Sequence, residues 1–489
     1  MSERWVAGHV PGLAAADIRY EALAFGAGAD TMSIDVPALD AAQMIAVAQH
    51  VQRAARQHLQ TLPVSRIIAL IDAAIVRLLD PDDRYRRDAE RLLAIVTGYN
   101  AEMIRLGLNG YLHTFRAPEL HRFVAEDFAN PKVLDEFQPA MKGGMARAIG
   151  PALLAHSWAG NVPGIPLWSL VCGLLVKAGN VGKLPSAEPV FATLFARLLA
   201  EIHPPLGECM AIVWWKGASP AIAAPLYAHA EVVLAYGSNE TITQVRSLVP
   251  ITTRFLPYGH KLGVALVGRA ALDTARGPAT ARLVAHDVVR YEQQGCYSPH
   301  MIYVERGGRV SPREFAQYVA AELENLAHRY PLRTLQFDEK TAIADWRRAA
   351  EVRAMSGERF ELIGAERATW AIAYSDTPLA IAPGATHRTL SVVSVDTLEH
   401  ALECIAPGAR FLQTVGVAVD AQALHPLAQK LSVIGATRIT AIGRMTQPEA
   451  GWHHDGRCNL ADLVRFVEIE QSAEAMSDRL AAYAEEDLR

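Results

Sequence analysis

Several features that mark large function classes are missing from this chain. Cys172, Cys209, Cys296, Cys404 and Cys458 are scattered, odd in number and never in a C-x-x-C spacing. Neither a disulfide framework nor a zinc site is therefore indicated. No G-x-G-x-x-G and no Walker A sequence occurs, so the ordinary dinucleotide fingerprint and the P-loop are both absent. Net charge is only -5, with acidic and basic residues interspersed, which argues against a nucleic-acid footprint. The first ten residues, M-S-E-R-W-V-A-G-H-V, lack the apolar run of a secretory signal, and a reducing, cytoplasmic setting is expected.

Two longer absences matter more. Between Arg147 and Lys177 there is no Asp, Glu, Lys or Arg, a run long enough to cross a bilayer. Asn161-Val162-Pro163-Gly164-Ile165-Pro166 interrupts it, and two prolines and a glycine would leave backbone groups without partners in lipid. The piece from Pro166 to Val176 has the length of a buried core helix, so no membrane span is expected. From residue 241 to 272 there is no Asp or Glu at all.

What is present is a chain of 489 residues, 51% hydrophobic, enough for two or three domains with substantial cores. The first part reads as mainly helical. Ile67, Ile68, Ile71, Ile75, Leu78 and Leu79 recur at helical spacing, and Asn100 with Glu102 opens another helix. Beyond about residue 150, short apolar runs alternate with helices, the sign of an α/β arrangement with a largely parallel sheet. Strands are predicted at 211–215, 232–236, 263–267, 301–304, 390–395 and 439–442. Helices are predicted at 187–202, 239–248 and 312–327.

Chemistry concentrates in four places. In D-V-V-R-Y-E-Q-Q-G-C-Y-S (287–298) a helix runs to about Gln294 and Gly295 breaks it, leaving Cys296 between rigid elements yet reachable. That placement suits a nucleophile, although most free cysteines are small buried hydrophobes. Gly160–Gly164 is a rigid turn presenting the Asn161 amide, or simply a turn. Gly179–Pro189 carries Lys183 from a strand toward a helix start. At Tyr236-Gly237-Ser238 a strand gives way to a helix whose free N–H groups could face a phosphate, or Ser238 is merely a cap.

Together, in this order and spacing, these segments resemble the aldehyde dehydrogenase superfamily. They resemble more nearly its acyl-CoA reductase branch, the bacterial luminescence fatty-acyl reductase (LuxC) family. The likeness is carried by T-G-Y-N-A-E-M-I-R-L-G-L at 97–108, G-N-V-P-G-I-P-L-W-S-L, Y-G-S-N-E-T, Q-Q-G-C-Y-S-P and W-H-H-D-G-R-C-N-L-A-D-L-V. It covers roughly residues 95 to 470.

The resemblance implies an α/β fold with a Rossmann-like cofactor domain, a catalytic domain and a small oligomerisation extension. Expected boundaries are a mainly helical region at 1–130, a nicotinamide-binding domain at 131–262 plus about 439–470, a catalytic domain at 263–438 and a tail at 471–489. It implies Cys296 as nucleophile and the Asn161 amide with the Cys296 backbone N–H as oxyanion donors. Lys183 would reach the adenosine ribose. Ser186 stands where NAD-preferring relatives often carry glutamate, so NADPH is the expected cofactor. The implied substrate is acyl-CoA or another acyl thioester, with an acyl-protein synthetase as partner and a homo-oligomer as assembly.

Two family glutamates lack counterparts here, the hydrolytic base and the one that orients the cofactor ribose, since Gly384–Arg388 offers no carboxylate. Slow hydrolysis of an acyl-enzyme follows from the first absence. His260 is a candidate proton donor or a structural histidine, with equal weight. His453, His454 and Asp455 are adjacent and cannot easily converge on one ion, so no metal is expected. The alternatives are an aldehyde dehydrogenase running to the acid and a silent acyl-binding subunit.

Overall fold

The computed structural model describes residues 3–26, 31–217 and 219–481. The chain begins with strands. β1 (Glu3–Val6), β2 (Arg19–Phe25) and β3 (Met32–Ala38) form a small sheet in the order β1-β3-β2. The region expected to be mainly helical, 1–130, thus opens with a small sheet ahead of its helices. Met32, Ile34 and Val36 alternate with Ser33 and Asp35, a period-two signal. Helices follow only from Ala41 to Asp127. Within them Ile67, Ile68, Ile71, Ile75 and Leu78 are buried. Asn100 caps its helix by accepting from the Met103 N–H at 2.8 Å.

Two short strands, β4 (Gln138–Pro139) and β5 (Met145–Ile149), precede a five-stranded sheet. Its strands are β6 (Leu153–Ser157), β7 (Gly179–Lys183), β8 (Met210–Val213), β9 (Val232–Tyr236) and β10 (Arg254–Tyr258). They lie in the order β10-β9-β6-β7-β8, every pair parallel. The N-terminal segment protects the β8 edge: His9 and Ile212 exchange backbone hydrogen bonds of 3.0 and 2.7 Å. The uncharged stretch is interior, with the helix Ile165–Leu175 almost wholly buried. Among the described residues, no helix is long and apolar enough to cross a membrane.

A seven-stranded sheet follows, built from β11 (Leu262–Val267), β12 (Pro299–Glu305), β13 (Phe360–Ile363), β14 (Ala371–Ser375), β15 (Thr389–Val395), β16 (Leu412–Ala418) and β17 (Arg438–Ala441). The order is β13-β14-β15-β12-β11-β16-β17, with only β13 antiparallel. β12 is buried along its whole length, as expected of a central parallel strand covered on both faces.

The expected return to the first α/β domain near Ile439–Met445 does not take that form. β17 is the edge strand of the seven-stranded sheet, because its backbone finds partners along β16. The chain turns back later. Asn459 accepts from the Trp168 indole at 3.1 Å, and Arg254 donates to the Val464 carbonyl at 3.0 Å. β18 (Arg465–Ile469) then pairs with β5 to complete a small sheet. The tail holds one helix, Gln471–Arg479, and residues 482–489 lie outside the described residues.

Candidate active site

The loop carrying Cys296 begins earlier than the sequence suggests. The regular helix Arg276–Val289 ends, and Tyr291, Glu292 and Gln293 take φ values of 49°, 53° and 62°. Consecutive non-glycine residues in the left-handed region are unfavourable and persist only where surroundings over-determine them. A second such run, Thr386, His387 and Arg388 at 61°, 50° and 68°, leads into β15. The two runs brace each other. The His387 N–H donates to the Glu292 carbonyl at 2.9 Å, and the Gln294 amide donates to the Thr386 hydroxyl at 3.1 Å. The buried Glu292 carboxylate accepts from the Arg333 N–H at 2.9 Å and faces His387 and Arg388. Gly107 makes room for this loop, since a Cβ there would lie 2.0 Å from the Tyr291 hydroxyl.

Cys296 opens into a cavity of about 460 Å³ also lined by Asn161, Gly237, Ser238 and His260. Four of the residues singled out in the sequence therefore meet around the cysteine. Its thiol is pushed up to about 11, first by burial and then by the Asp455 carboxylate, with a Gln413 N–H pulling the other way. Asn161 donates one amide N–H to the Gln294 carbonyl at 2.6 Å, two residues before the cysteine. Its turn is seated tightly, because a Cβ at Gly160 would press on Pro185 and Ala187 at 3.0 and 3.1 Å.

Ser238 caps the helix Asn239–Leu248, accepting from the Thr241 N–H at 3.3 Å at the cavity rim. His260 is exposed there, its backbone N–H donating to Asn239 at 3.3 Å and its ring edge-on to Phe411. Lys183 and Ser186 are not brought to the cavity. Lys183 ends β7 with its ammonium 5.6 Å from the centre of the Trp215 ring, and burial lowers its pKa. Ser186 accepts from the Trp214 indole at 3.1 Å. Glu188, two residues on, turns inward and accepts the Val190 and Phe191 N–H groups at 2.8 Å each. Burial pushes its carboxyl up to about 7.

With this geometry in view, the sequence model of the acyl-CoA reductase (LuxC) family matches residues 41–466. The chain belongs to that family. It is 26% identical over 391 residues to a long-chain acyl-protein thioester reductase of Aliivibrio fischeri, covering 79% of this chain and 78% of the relative. It is 25% identical over 406 residues to the enzyme of the same name from Photorhabdus luminescens, covering 82% and 80%. Among solved structures, aldehyde dehydrogenase 21 of Physcomitrella patens aligns with a TM-score of 0.74 at 12% identity, covering 96% of this chain and 98% of that one. An NAD-dependent benzaldehyde dehydrogenase of Corynebacterium glutamicum aligns at 0.71 and 14%, covering 95% and 98%. The fold is that of the aldehyde dehydrogenases, and the protein is an acyl reductase, an oxidoreductase.

Two residues of the reductase's cavity were given no place beside Cys296 by the sequence: Gln413 was not singled out, and Asp455 stood only as a declined metal ligand in W-H-H-D-G-R-C. Gln413, fully buried at the start of β16, donates to Asp455 at 2.6 Å and faces the Cys296 sulfur at 3.4 Å. Asp455 places a carboxylate in the cavity, although residues 241–272 supply none. Asp455 and Gly456 form a turn with φ values of 54° and 75°. His454 and Asp455 turn to different partners. His454 stacks on Tyr258 with ring centres 4.5 Å apart, while Asp455 bonds Gln413. On the outer side of this loop, Asp127, His453 and Cys458 place one possible ligand atom each within 4.8 Å of one another. One Asp127 oxygen accepts from the Leu460 and Ala461 N–H groups, while its Oδ1 is buried without a hydrogen-bond partner among the described residues.

Proposed function

We propose that this reductase converts an acyl thioester to an aldehyde through an acyl-enzyme on Cys296, with NADPH as reductant. One observation carries the reading: Cys296, Asn161 and the Gly237-Ser238 helix start line a single cavity. The sulfur attacks the thioester carbonyl. A C–Sγ bond forms while the carbonyl electron pair moves onto oxygen. One N–H of Asn161 holds Gln294, which leaves the second for the oxyanion beside the Cys296 backbone N–H. The bond to the carrier sulfur then breaks and the carrier leaves as a thiol. A reduced nicotinamide would supply the hydride to the acyl carbon. Collapse of the resulting thiohemiacetal breaks the C–Sγ bond and frees the aldehyde.

The chain's own residues suit such a cofactor. Helix N–H groups beyond Gly237 face outward at the rim, and among the described residues the Lys183 ammonium makes no ion pair. Ser186 would tolerate and hydrogen-bond a ribose 2′-phosphate, and the Glu188 carboxylate turns inward onto the Val190 and Phe191 N–H groups. The donor would be acyl-CoA or an acyl-protein, the latter loaded by an acyl-protein synthetase in a cytoplasmic setting. Homo-oligomer contacts fall to the β18-β5-β4 sheet, where Phe466 is 53% exposed. His260, at the rim, would donate a proton to the leaving group.

The test is a panel of acyl-CoAs with NADPH, following nicotinamide absorbance and aldehyde. Asp455 favours a second reading, since a cavity carboxylate is what an acid-forming hydrolysis needs. Oxidising aldehyde with NADP, with and without CoA, separates the two: acid formed without CoA as fast as thioester forms with it would replace the proposed function with this one.

A further inference from the structure

Gln413 has both ends of its side-chain amide hydrogen-bonded. Its oxygen accepts from the Thr414 hydroxyl at 3.4 Å, and its nitrogen donates to Asp455 at 2.6 Å. A carboxylate only accepts hydrogen bonds, so the amide can meet Asp455 through its NH₂ alone. Flipping it would set its oxygen against the Asp455 oxygen and discard that bond, whereas the Thr414 hydroxyl can donate or accept and suits either orientation. That NH₂ carries two hydrogens. With one on Asp455, the other is left for the Cys296 sulfur, 3.4 Å away. The surroundings hold both residues in place. The Gln413 carbonyl accepts from the Thr437 N–H at 3.0 Å. Asp455 sits in a tight turn closed by the Gly456 N–H on the His453 carbonyl at 3.0 Å.

We propose that Gln413 is a catalytic residue that presents an N–H to the Cys296 sulfur as it ionises, and that Asp455 is the positioning residue that locks the amide in that orientation. The inference rests on Cys296 being the nucleophile. In acylation the thiol proton leaves sulfur, the C–Sγ bond forms, the carrier C–S bond breaks and the departing carrier sulfur takes up a proton. The net result moves one proton from Cys296 to the carrier thiol. An N–H aimed at sulfur favours the charged form before attack, and again when the C–Sγ bond breaks on aldehyde release.

Asp455 then has two opposed effects. Its charge disfavours a thiolate, while its hold on Gln413 favours one. The other charged group facing the sulfur is the Arg438 guanidinium from β17, and Tyr297 lies next to it in the chain. Around Asp455 stand His454 from the same loop, Tyr258 from β10 and, farther off, Lys261 and Arg457.

The experiment measures Cys296 alkylation by iodoacetamide against pH in the full-length protein, with the adduct located by mass spectrometry. Neither acyl substrate nor nicotinamide is needed. A failure of the proposed reaction would show separately, as a missing acyl adduct after exposure to acyl-CoA. Gln413→Leu should raise the alkylation midpoint by about one pH unit, roughly tenfold less thiolate, and Gln413→Glu should raise it further. In the Gln413→Leu background only repulsion remains, so Asp455→Ala, which removes both the charge and the acceptor oxygen, should lower the midpoint. In the otherwise unmutated protein the same change should leave it level or raise it, because the amide is released. The two substitutions are thus non-additive. Unchanged midpoints in both Gln413 variants, or strict additivity, would overturn the proposal. If the buried Gln413 variants do not fold, Asp455→Ala decides alone. A drop of about one unit or more means that only repulsion reached the sulfur and the idea fails. A level or raised midpoint upholds it.

Discussion

Cys172 and Cys296 are both held as thiols by burial, yet their surroundings differ in kind. Cys172 lies inside the apolar helix Ile165–Leu175, where burial lifts its thiol well above the ordinary range. Cys296 sits on a loop braced by two left-handed runs and opens into a cavity. There Gln413 offers its sulfur a hydrogen bond. A shifted pKa therefore does not distinguish the proposed nucleophile from the core residue. What distinguishes it is a path for substrate and a donor to the charged form.

That contrast can be broken in several ways. Cys296→Ala should abolish both the acyl adduct and aldehyde formation while leaving nicotinamide binding nearly intact. An adduct on any other cysteine, seen by mass spectrometry, would erase the distinction. Asn161→Ala should lower turnover by about 10² to 10³, the usual cost of one oxyanion donor. Asn161→Asp should be at least as harmful, because it sets a negative charge beside the developing one. Near-normal turnover in Asn161→Ala would make the turn structural.

The raised thiol also predicts a pH effect. With the folded pKa near 11 against an ordinary 9, the folded chain keeps a proton that the unfolded chain loses. Stability should therefore fall as pH rises through that window, by about 1–2 kcal/mol for this group. Denaturant melts of Cys296→Ala should show a shallower decline. On the cofactor side, Ser186→Glu should shift kcat/KM toward NADH by about tenfold, through repulsion of a 2′-phosphate. Measured preference for NADH by that margin in the unmutated protein would refute the argument. Cys172→Ala should cost about 1 kcal/mol of stability and leave turnover unchanged, the mildest outcome of the set.

Much of the framework was legible because it is local. The helix Asn239–Leu248 and its Ser238 cap, the strand Val232–Tyr236 and the buried face of Val64–Leu79 follow from periodicity and capping chemistry. Other features depended on partners far along the chain. The apolar run Ile439–Ile442 reads as a strand, but only the unpaired edge of β16 places it in the seven-stranded sheet. The left-handed φ values at Tyr291–Gln293 cannot be read from Y-E-Q. Those residues reach that conformation because Glu292, Arg333 and His387 bind one another across the fold.

Sequence alone determined the cysteine, the amide turn and the glycine-serine helix start, since each combines a residue's chemistry with its immediate backbone. Only the tertiary structure decided that Cys296, Asn161, Gly237, Ser238 and His260 share one cavity while Lys183 and Ser186 stand apart from its lining. It also decided that Asp455, absent from any expected base position, reaches Gln413 beside Cys296. Gln413 and Asp455 lie 42 positions apart, and an amide facing a carboxylate at 2.6 Å exists only after two loops and a sheet edge have been packed together.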